Sequence, residues 1–398
     1  MQGWAAVADH PVVSGEAWRR FCDRLAAVGD RILEDDFPSS PLDRAEGVRH
    51  LASQVACWLT YALGSGDPER PFFFRSSDPV FLWGGPNVDQ VARRARVSGD
   101  GVYRVSGEMG SCEEFVLQVK SGNVQSGGAD VDCEVSASDL GIGPGDAFQI
   151  VLGGDRRDGH WVELGPGATF VHIRDYYFDW RPLQPATFVI ERLDAKGPPP
   201  PLSPDHVAEL LDDAAAQVEH SIVFWNDYQR RMRAAHPLNT FSPPAGAARG
   251  VQDIVYSHAF VALAPEDAMV VELDGRDAAW WGVQLYNRSW YEPLDFAHRA
   301  ASRNQRQVSP GADGPVTVVL AGRDPGVANW LDTEGRDEVL ATVRWWRPSG
   351  QPLLRSSVVP IAALPGAALP GALDRVAPGE RVAELAARAT HVGWRYRT

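Results

Sequence analysis

The stretch His160–Trp180, HWVELGPGATFVHIRDYYFDW, has a Gly-Pro-Gly turn followed by alternating apolar and polar residues. In a strand, such alternation puts Val171 and Ile173 on one face and His172, Arg174 and Tyr176 on the other. A later stretch, VLATVRWWRP at 339–348, repeats the pattern. There Ala341 and Val343 share one face, while Thr342, Arg344 and Trp346 share the opposite one. Two more segments echo each other: FVLQV (115–119) with WGVQL (281–285), and FQIVLGGDRRDGHW (148–161) with VTVVLAGRDPGVANW (316–330). Pairing Gln118 with Gln284, Leu152 with Leu320, Trp161 with Trp330 and Arg174 with Arg344 gives offsets of 166, 168, 169 and 170. A slowly drifting offset is what small loop insertions between two copies of one β-unit produce.

Outward from these repeats, the chain divides by composition. Ser14 is placed to cap a helix running to about Leu33, with Ala17, Phe21, Leu25 and Val28 at helical spacing. Ser40 and Pro41 open a second helix that ends at Gly64. Short apolar runs between Gly, Pro, Asp and Asn then predict strands at 102–106, 115–119, 148–152, 169–175 and 188–193. KGPPPPLSP (196–204) interrupts them, and Ser203 and Pro204 start a long amphipathic helix that stops before Pro237. The predicted fold class is therefore mainly β with helices: two tandem antiparallel β-sandwich, jelly-roll-like domains, an N-terminal helical pair and a long linking helix. The expected boundaries are 1–70 (helices), 71–195 (first sandwich), 196–250 (linker and helix), 251–348 (second sandwich) and 349–398, a tail with a short helix near 381–389.

The 398 residues are too many for one ordinary domain. No apolar run approaches the roughly 18 residues that span a bilayer, and the start, MQGWAAVADHPVV, has no secretory pattern. A cytoplasmic protein that avoids membranes is expected. The balance of 38 basic against 52 acidic residues, net −14, disfavours nucleic-acid binding. Cys22, Cys57, Cys112 and Cys133 form no C-x-x-C pair, which suggests neither zinc nor a disulfide framework. The only lysines, Lys120 and Lys196, lie in glycine-flanked sequence, a weak basis for Schiff-base chemistry. No G-x-S-x-G, Walker loop or H-E-x-x-H occurs, GIGPG (141–145) precedes a strand, and no H-x-H pair offers a jelly-roll metal site. No cofactor and no metal are therefore expected. Asp35-Asp36 and Asp212-Asp213 lack the third acid that a diphosphate-magnesium site needs, so they are expected to be solvated.

GPNVDQVARRARVSGDGVYRVSGEMG (85–110), GHWVELGPGATFVHIRDYYFDW (159–180), DGRDAAWWGVQLYNRSWY (274–291) and DPGVANWLDTEGRDEVLATVRWW (324–346) resemble the bacterial family known as domain of unknown function 1214. With it goes a resemblance to the related 1254-type N-terminal region. The resemblance implies a sandwich or jelly-roll architecture and no established reaction. Where that family usually shows Asn-Pro-Asp followed by Tyr, this chain has Asn87, Val88 and Asp89, then Gln90 and Val91.

The residues left to carry chemistry lie in the repeat strands. His160 and His172 are candidate proton carriers, Arg174 a clamp for a carboxylate or polarised carbonyl, and Asp179 an orienting or abstracting acid. Tyr176, Trp180, Gln284, Tyr286, Arg344 and Trp346 are candidate substrate contacts. The plainer alternative pairs Arg174 with Asp179 at a sheet edge and uses the tryptophans as core, the expected role of Trp161 and Trp330. His160 stands opposite Asn329 in the repeat and His172 opposite Thr342, so the fold itself does not require either histidine. These features favour a cofactor-independent enzyme of lyase or isomerase type, with hydrolysis open, acting on a small, partly apolar molecule in an aromatic-lined pocket. The alternatives are a noncatalytic small-molecule or carbohydrate-binding protein, and sandwiches that chiefly build a homo-oligomer.

Overall fold

A computed structural model describes residues 9–396 apart from 129, 182–183, 247–249, 276, 310–313 and 367–372. Its helices are α1 (Glu16–Ile32), α2 (Pro41–Ser65), α3 (Pro204–Ala235) and α4 (Pro378–Arg395). Ser40 caps α2, its hydroxyl accepting the Asp43 N–H at 3.1 Å, and Ser203 caps α3 by accepting the His206 N–H at 3.1 Å. Ser40→Ala is expected to cost about 1 kcal/mol in urea unfolding. At α1 the cap is Gly15 rather than Ser14. Its φ of 76° is a conformation that glycine adopts without strain.

Nine strands build the first sandwich: β1 (Phe74–Ser77), β2 (Gln90–Arg96), β3 (Tyr103–Glu108), β4 (Glu114–Ser121), β5 (Asp130–Ser136), β6 (Ala147–Leu152), β7 (Trp161–Val162), β8 (Phe170–Tyr176) and β9 (Thr187–Arg192). Nine more build the second: β10 (Ala245–Gly246), β11 (Ile254–Val261), β12 (Asp267–Asp274), β13 (Trp280–Asn287), β14 (Ser302–Asn304), β15 (Val316–Ala321), β16 (Trp330–Asp332), β17 (Val339–Trp346) and β18 (Leu353–Pro360). The first copy has sheet orders β1-β2-β8-β4-β5 and β7-β6-β3-β9. The second has β10-β11-β17-β13-β14 and β16-β15-β12-β18, so each strand recurs nine places later. Register agrees residue by residue. Gln118 lies opposite His172 and Gln284 opposite Thr342, while Val151 lies opposite Trp161 and Val319 opposite Trp330. Both tryptophans do the same job: Trp161 donates its indole N–H to the Gly153 carbonyl and Trp330 to that of Ala321, each at 3.0 Å.

Strands β1, β2, β5 and β7 in the first copy, and β18 in the second, lie outside the predicted ranges. β2 reads QVARRAR, whose three arginines hide its alternation, and β18 falls in the expected tail although it pairs along all of β12. The second sandwich therefore runs to Pro360, not Pro348. α4 is also longer than the predicted 381–389, because its buried Arg388, His391 and Arg395 do not read as an apolar stripe.

Val171 and Ile173 enter the first sandwich core with Tyr103, Val105, Phe115, Leu117 and Ile150, while Ala341, Val343 and Trp345 enter the second. The opposite faces of the two five-stranded sheets turn toward each other. Val116, Tyr176, Phe178, Ile254, Trp280 and Trp346 form an apolar seam there, in which the Tyr176 and Trp346 rings stack at 6.4 Å. Gly282 is required at this seam, because a Cβ on it would stand 2.8 Å from the Trp280 Cζ2. Among the described residues no helix is long and apolar enough to cross a membrane.

Candidate functional site

Beside the seam the facing sheets part to leave a cavity of about 610 Å³. One wall is the outer face of β2, β4 and β8, carrying Gln90, Arg94, Lys120, His172, Arg174 and Tyr176. Across from it β11 and β17 present Tyr256, His258 and Arg344. Helix α3 supplies a third, aromatic wall of Phe224, Trp225 and Tyr228, joined by Tyr291. The loop 83–87 adds to the lining. Gly85, at φ 62°, lets it approach closely, since a Cβ there would lie 2.1 Å from the Tyr291 Cζ.

The two arginines of the repeat occupy equivalent places. Arg174 Nη1 donates to Gln118 Oε1 at 2.6 Å, and Arg344 Nη1 donates to Gln284 Oε1 at 3.1 Å. Arg344 also donates to the Tyr286 hydroxyl at 2.7 Å and, through Nη2, to the Gly85 carbonyl at 2.8 Å. It thereby ties the second sheet to the loop of the first sandwich. Arg94 lies opposite His172 across the β2–β8 ladder, its guanidinium over the rings of Phe170 (4.4 Å), Tyr61, Trp58 and Trp83. Among the described residues one side-chain hydrogen bond, to Asn123 Oδ1 at 3.0 Å, accompanies those contacts.

Both histidines of the cavity are neutral. Burial, and then the charges of Arg174, Arg94 and Lys120, push His172 well below the ordinary imidazole range. Burial and the Arg344 and His236 charges push His258 down to about 3, and its Nδ1 lies 2.9 Å from the Thr342 hydroxyl. The repeat thus carries a cross-strand pair at one position in both copies, Arg94–His172 in the first and His258–Thr342 in the second. Several buried polar atoms lining the cavity have no partner in the protein: His172 Nε2, the Tyr176 hydroxyl, Asn87 Nδ2, Arg94 Nε and Trp225 Nε1. Buried polar atoms are nearly always satisfied, so this group calls for hydrogen-bonding partners from within the cavity, water or ligand.

Of the residues selected from sequence, His172, Arg174, Tyr176 and Arg344 come together around this cavity. Gln284 and Tyr286 stand behind Arg344 and orient it, while Trp346 packs in the seam. Three depart. His160 precedes β7 on the four-stranded sheet, across the sandwich core from the cavity, and its carbonyl accepts the Val151 N–H at 2.9 Å. Asp179 does not meet Arg174. It binds Arg181 through contacts of 2.8 and 2.6 Å, half exposed, and that partner holds its carboxyl below the usual range. Trp180 donates to Asp89 Oδ1 at 2.8 Å and stacks on His391 of α4 at 4.9 Å. The divergent loop has a structural role: the Val88 N–H binds Gln284 Oε1 at 3.2 Å, and Asp89 takes the Trp180 and Asn304 N–H groups. Of the two acid pairs, Asp36 is ion-paired with Arg31, Asp212 with Arg20 and Asp213 with Arg96, and Asp35 is exposed.

Arg94, Tyr256, His258, Trp225 and Tyr228 belong to the site but were not legible as such in the sequence. Arg94 is hidden in QVARRAR. Trp225 and Tyr228 sit on a helix whose periodicity is accounted for by its packing on α1 and α2.

The arrangement defines a class, a duplicated β-sandwich protein with a partly open cavity lined by residues of both copies. The chain belongs to the DUF1214 family. The model of that family, described as "Protein of unknown function (DUF1214)", matches residues 264–350. A crystal structure of an uncharacterised protein from Burkholderia cenocepacia is 34% identical over 89% of this chain and 99% of that one, with a TM-score of 0.82. The VPA0106 protein from Vibrio parahaemolyticus is 12% identical, over 79% of this chain and 98% of that one, with a TM-score of 0.45. No curated protein matches.

Proposed function

We propose that the cavity is the site of a cofactor-independent enzyme that moves a proton on a small, partly apolar molecule, as in an isomerisation, an elimination or a cyclisation. The observation that carries this reading is the neutral His172, whose unpartnered Nε2 belongs to the cavity lining beside Arg94 and Arg174. An unprotonated imidazole accepts a C–H or O–H proton and becomes imidazolium. The electron pair left on the substrate is stabilised by the guanidinium groups of Arg174 and Arg344. In an isomerisation His172 returns the proton to a second atom of the same molecule, and in an elimination the proton leaves with the departing group. Four unpaired cysteines fit a reducing compartment, and we place the protein in the cytoplasm. The N-terminal helices we read as the 1254-type region.

The test is solvent exchange. Incubated in deuterium oxide with small enolisable ketones and unsaturated acids, the protein is expected to incorporate deuterium, read by mass spectrometry. His172→Gln should slow that incorporation by about 100-fold. Exchange that persists in the variant removes His172 from the chemistry. Binding without any exchange would instead support the noncatalytic small-molecule or carbohydrate-binding reading, which the ring-rich wall of Phe224, Trp225, Tyr228, Tyr256 and Tyr291 favours.

A further inference from the structure

We infer that the cavity selects an anion: its ligand carries an oxyanion headgroup, a carboxylate above all, on an aromatic or otherwise apolar body. This rests on the cavity being a small-molecule site, as proposed above, and specifies what that site takes.

Charge is the first ground. The chain is acidic overall, with 52 acidic residues against 38 basic ones, yet no described residue lining this cavity is Asp or Glu. Arg94, Arg174 and Arg344 all line it, and none of the three is within ion-pair distance of a carboxylate among the described residues. Guanidinium groups stay charged in proteins, so the lining carries three guanidinium charges beside the ammonium of Lys120, and the three arginines meet amides, a carbonyl, a hydroxyl and ring faces. Arg94 and Arg174 share one face of adjacent strands, Arg94 opposite His172 and Arg174 opposite Ala92, where like charges oppose each other. A bound oxyanion relieves that repulsion and restores charge balance to a buried site.

The orphaned atoms are the second, independent ground. Asn87 Nδ2, Arg94 Nε and Trp225 Nε1 are obligate donors, and the Tyr176 hydroxyl donates readily. Asn87, Arg94, His172 and Tyr176 are 6, 5, 9 and 4% exposed, so bulk water does not serve their polar atoms in passing. A ligand rich in acceptors satisfies such a set, whereas one rich in donors leaves it unpaired. The body of the ligand follows from the rest of the lining, where Phe224, Trp225, Tyr228, Tyr256 and Tyr291 present ring surface. An anion against Arg94 and Arg174 also screens the charges that depress His172, leaving it a stronger base once the site is filled.

Two isosteric probes separate charge from shape: 1-naphthoate and 1-naphthamide, titrated into the full-length protein and followed by quenching of tryptophan fluorescence. Naphthoate is expected to bind at least about tenfold more tightly than naphthamide. Arg174→Gln should erase that preference and Arg174→Lys should keep part of it, with circular dichroism confirming that both variants fold. Equal affinity for the two probes, or a preference for the amide, overturns the anion inference and leaves the small-molecule reading standing. Failure of both probes to bind at millimolar concentration overturns both. A preference for naphthoate that survives Arg174→Gln unchanged also counts against this cavity as the origin of the selectivity.

Discussion

Between pH 7 and pH 5 the protonation of His258, His391 and Asp89 taken together is expected to cost the folded protein about 3 kcal/mol of stability, chiefly through the two histidines. Burial and the charges of Arg344 and His236 hold His258 at about 3, and burial with the charges of Arg395 and Arg388 holds His391 at about 2, against 6.5 in the open chain. Below 6.5 the unfolded chain therefore binds protons that the native state refuses. The stability linked to His258 is complete above pH 6.5 and is lost as the pH falls from there to about 3. That linked to His391 is lost down to about 2. At pH 5 each histidine accounts for about 2 kcal/mol, and His172 acts with the same sign. Asp89 opposes them. Burial raises its carboxyl from 3.8 to about 6, so the native state gains protons first and about 1 kcal/mol is returned over the same interval. Urea midpoints at pH 7, 6 and 5 measure the sum. In His258→Gln the fall should be smaller by about 2 kcal/mol, and a slope identical to the parent would show that His258 is not a neutral buried group.

Trp280→Ala is expected to destabilise the protein by about 4 kcal/mol at neutral pH. The indole is fully buried in the seam, stacked on Phe178 at 5.6 Å and near Tyr176 at 6.4 Å, and seated over Gly282. Removing it opens a void between two β-sheets that cannot approach each other without disturbing the contacts of Arg344 to the Gly85 carbonyl and of Gln284 to the Val88 N–H. Neighbouring Trp281, on the other face of the same strand, belongs to the sandwich core instead. Trp281→Ala should therefore match the loss in stability while leaving 1-naphthoate binding to the refolded protein closer to normal than Trp280→Ala does. Equal binding defects in both would detach the seam from the cavity. A loss under about 1 kcal/mol for Trp280→Ala would mean that the sheets close the gap.

The strands that alternate cleanly were legible because period-2 burial leaves its imprint wherever one face is apolar. β8 and β17 show this with Val171, Ile173, Ala341 and Val343. β2 did not, because Arg93 stands on the core-facing side with Val91 and Ala95, paired with the buried Asp175, while Ala92 stands on the cavity side between Gln90 and Arg94. β18 was lost to the tail because its inward and outward residues, LLRSSVVP, lie at a half-exposed edge. The site divided along the same line. Reasoning from the repeat that histidine is dispensable to the fold placed His160 ahead of His172, and the packing of sheet on sheet reverses that order, since His172 lines the cavity and His160 does not. Of the two, only His172 belongs to the sheet that faces the second copy.

The sequence by itself determined the two sandwiches, their duplication and the face on which His172, Arg174 and Arg344 stand, because strand periodicity and register are local and recur at a readable offset. The tertiary structure alone decided that those faces meet, that α3 borders the gap with Phe224, Trp225 and Tyr228, and that Arg94 and His258 join the same lining. That could not be read beforehand, because which outer face becomes an interior is set by shape and charge matching between elements far apart in the chain, and such matching has no period along it.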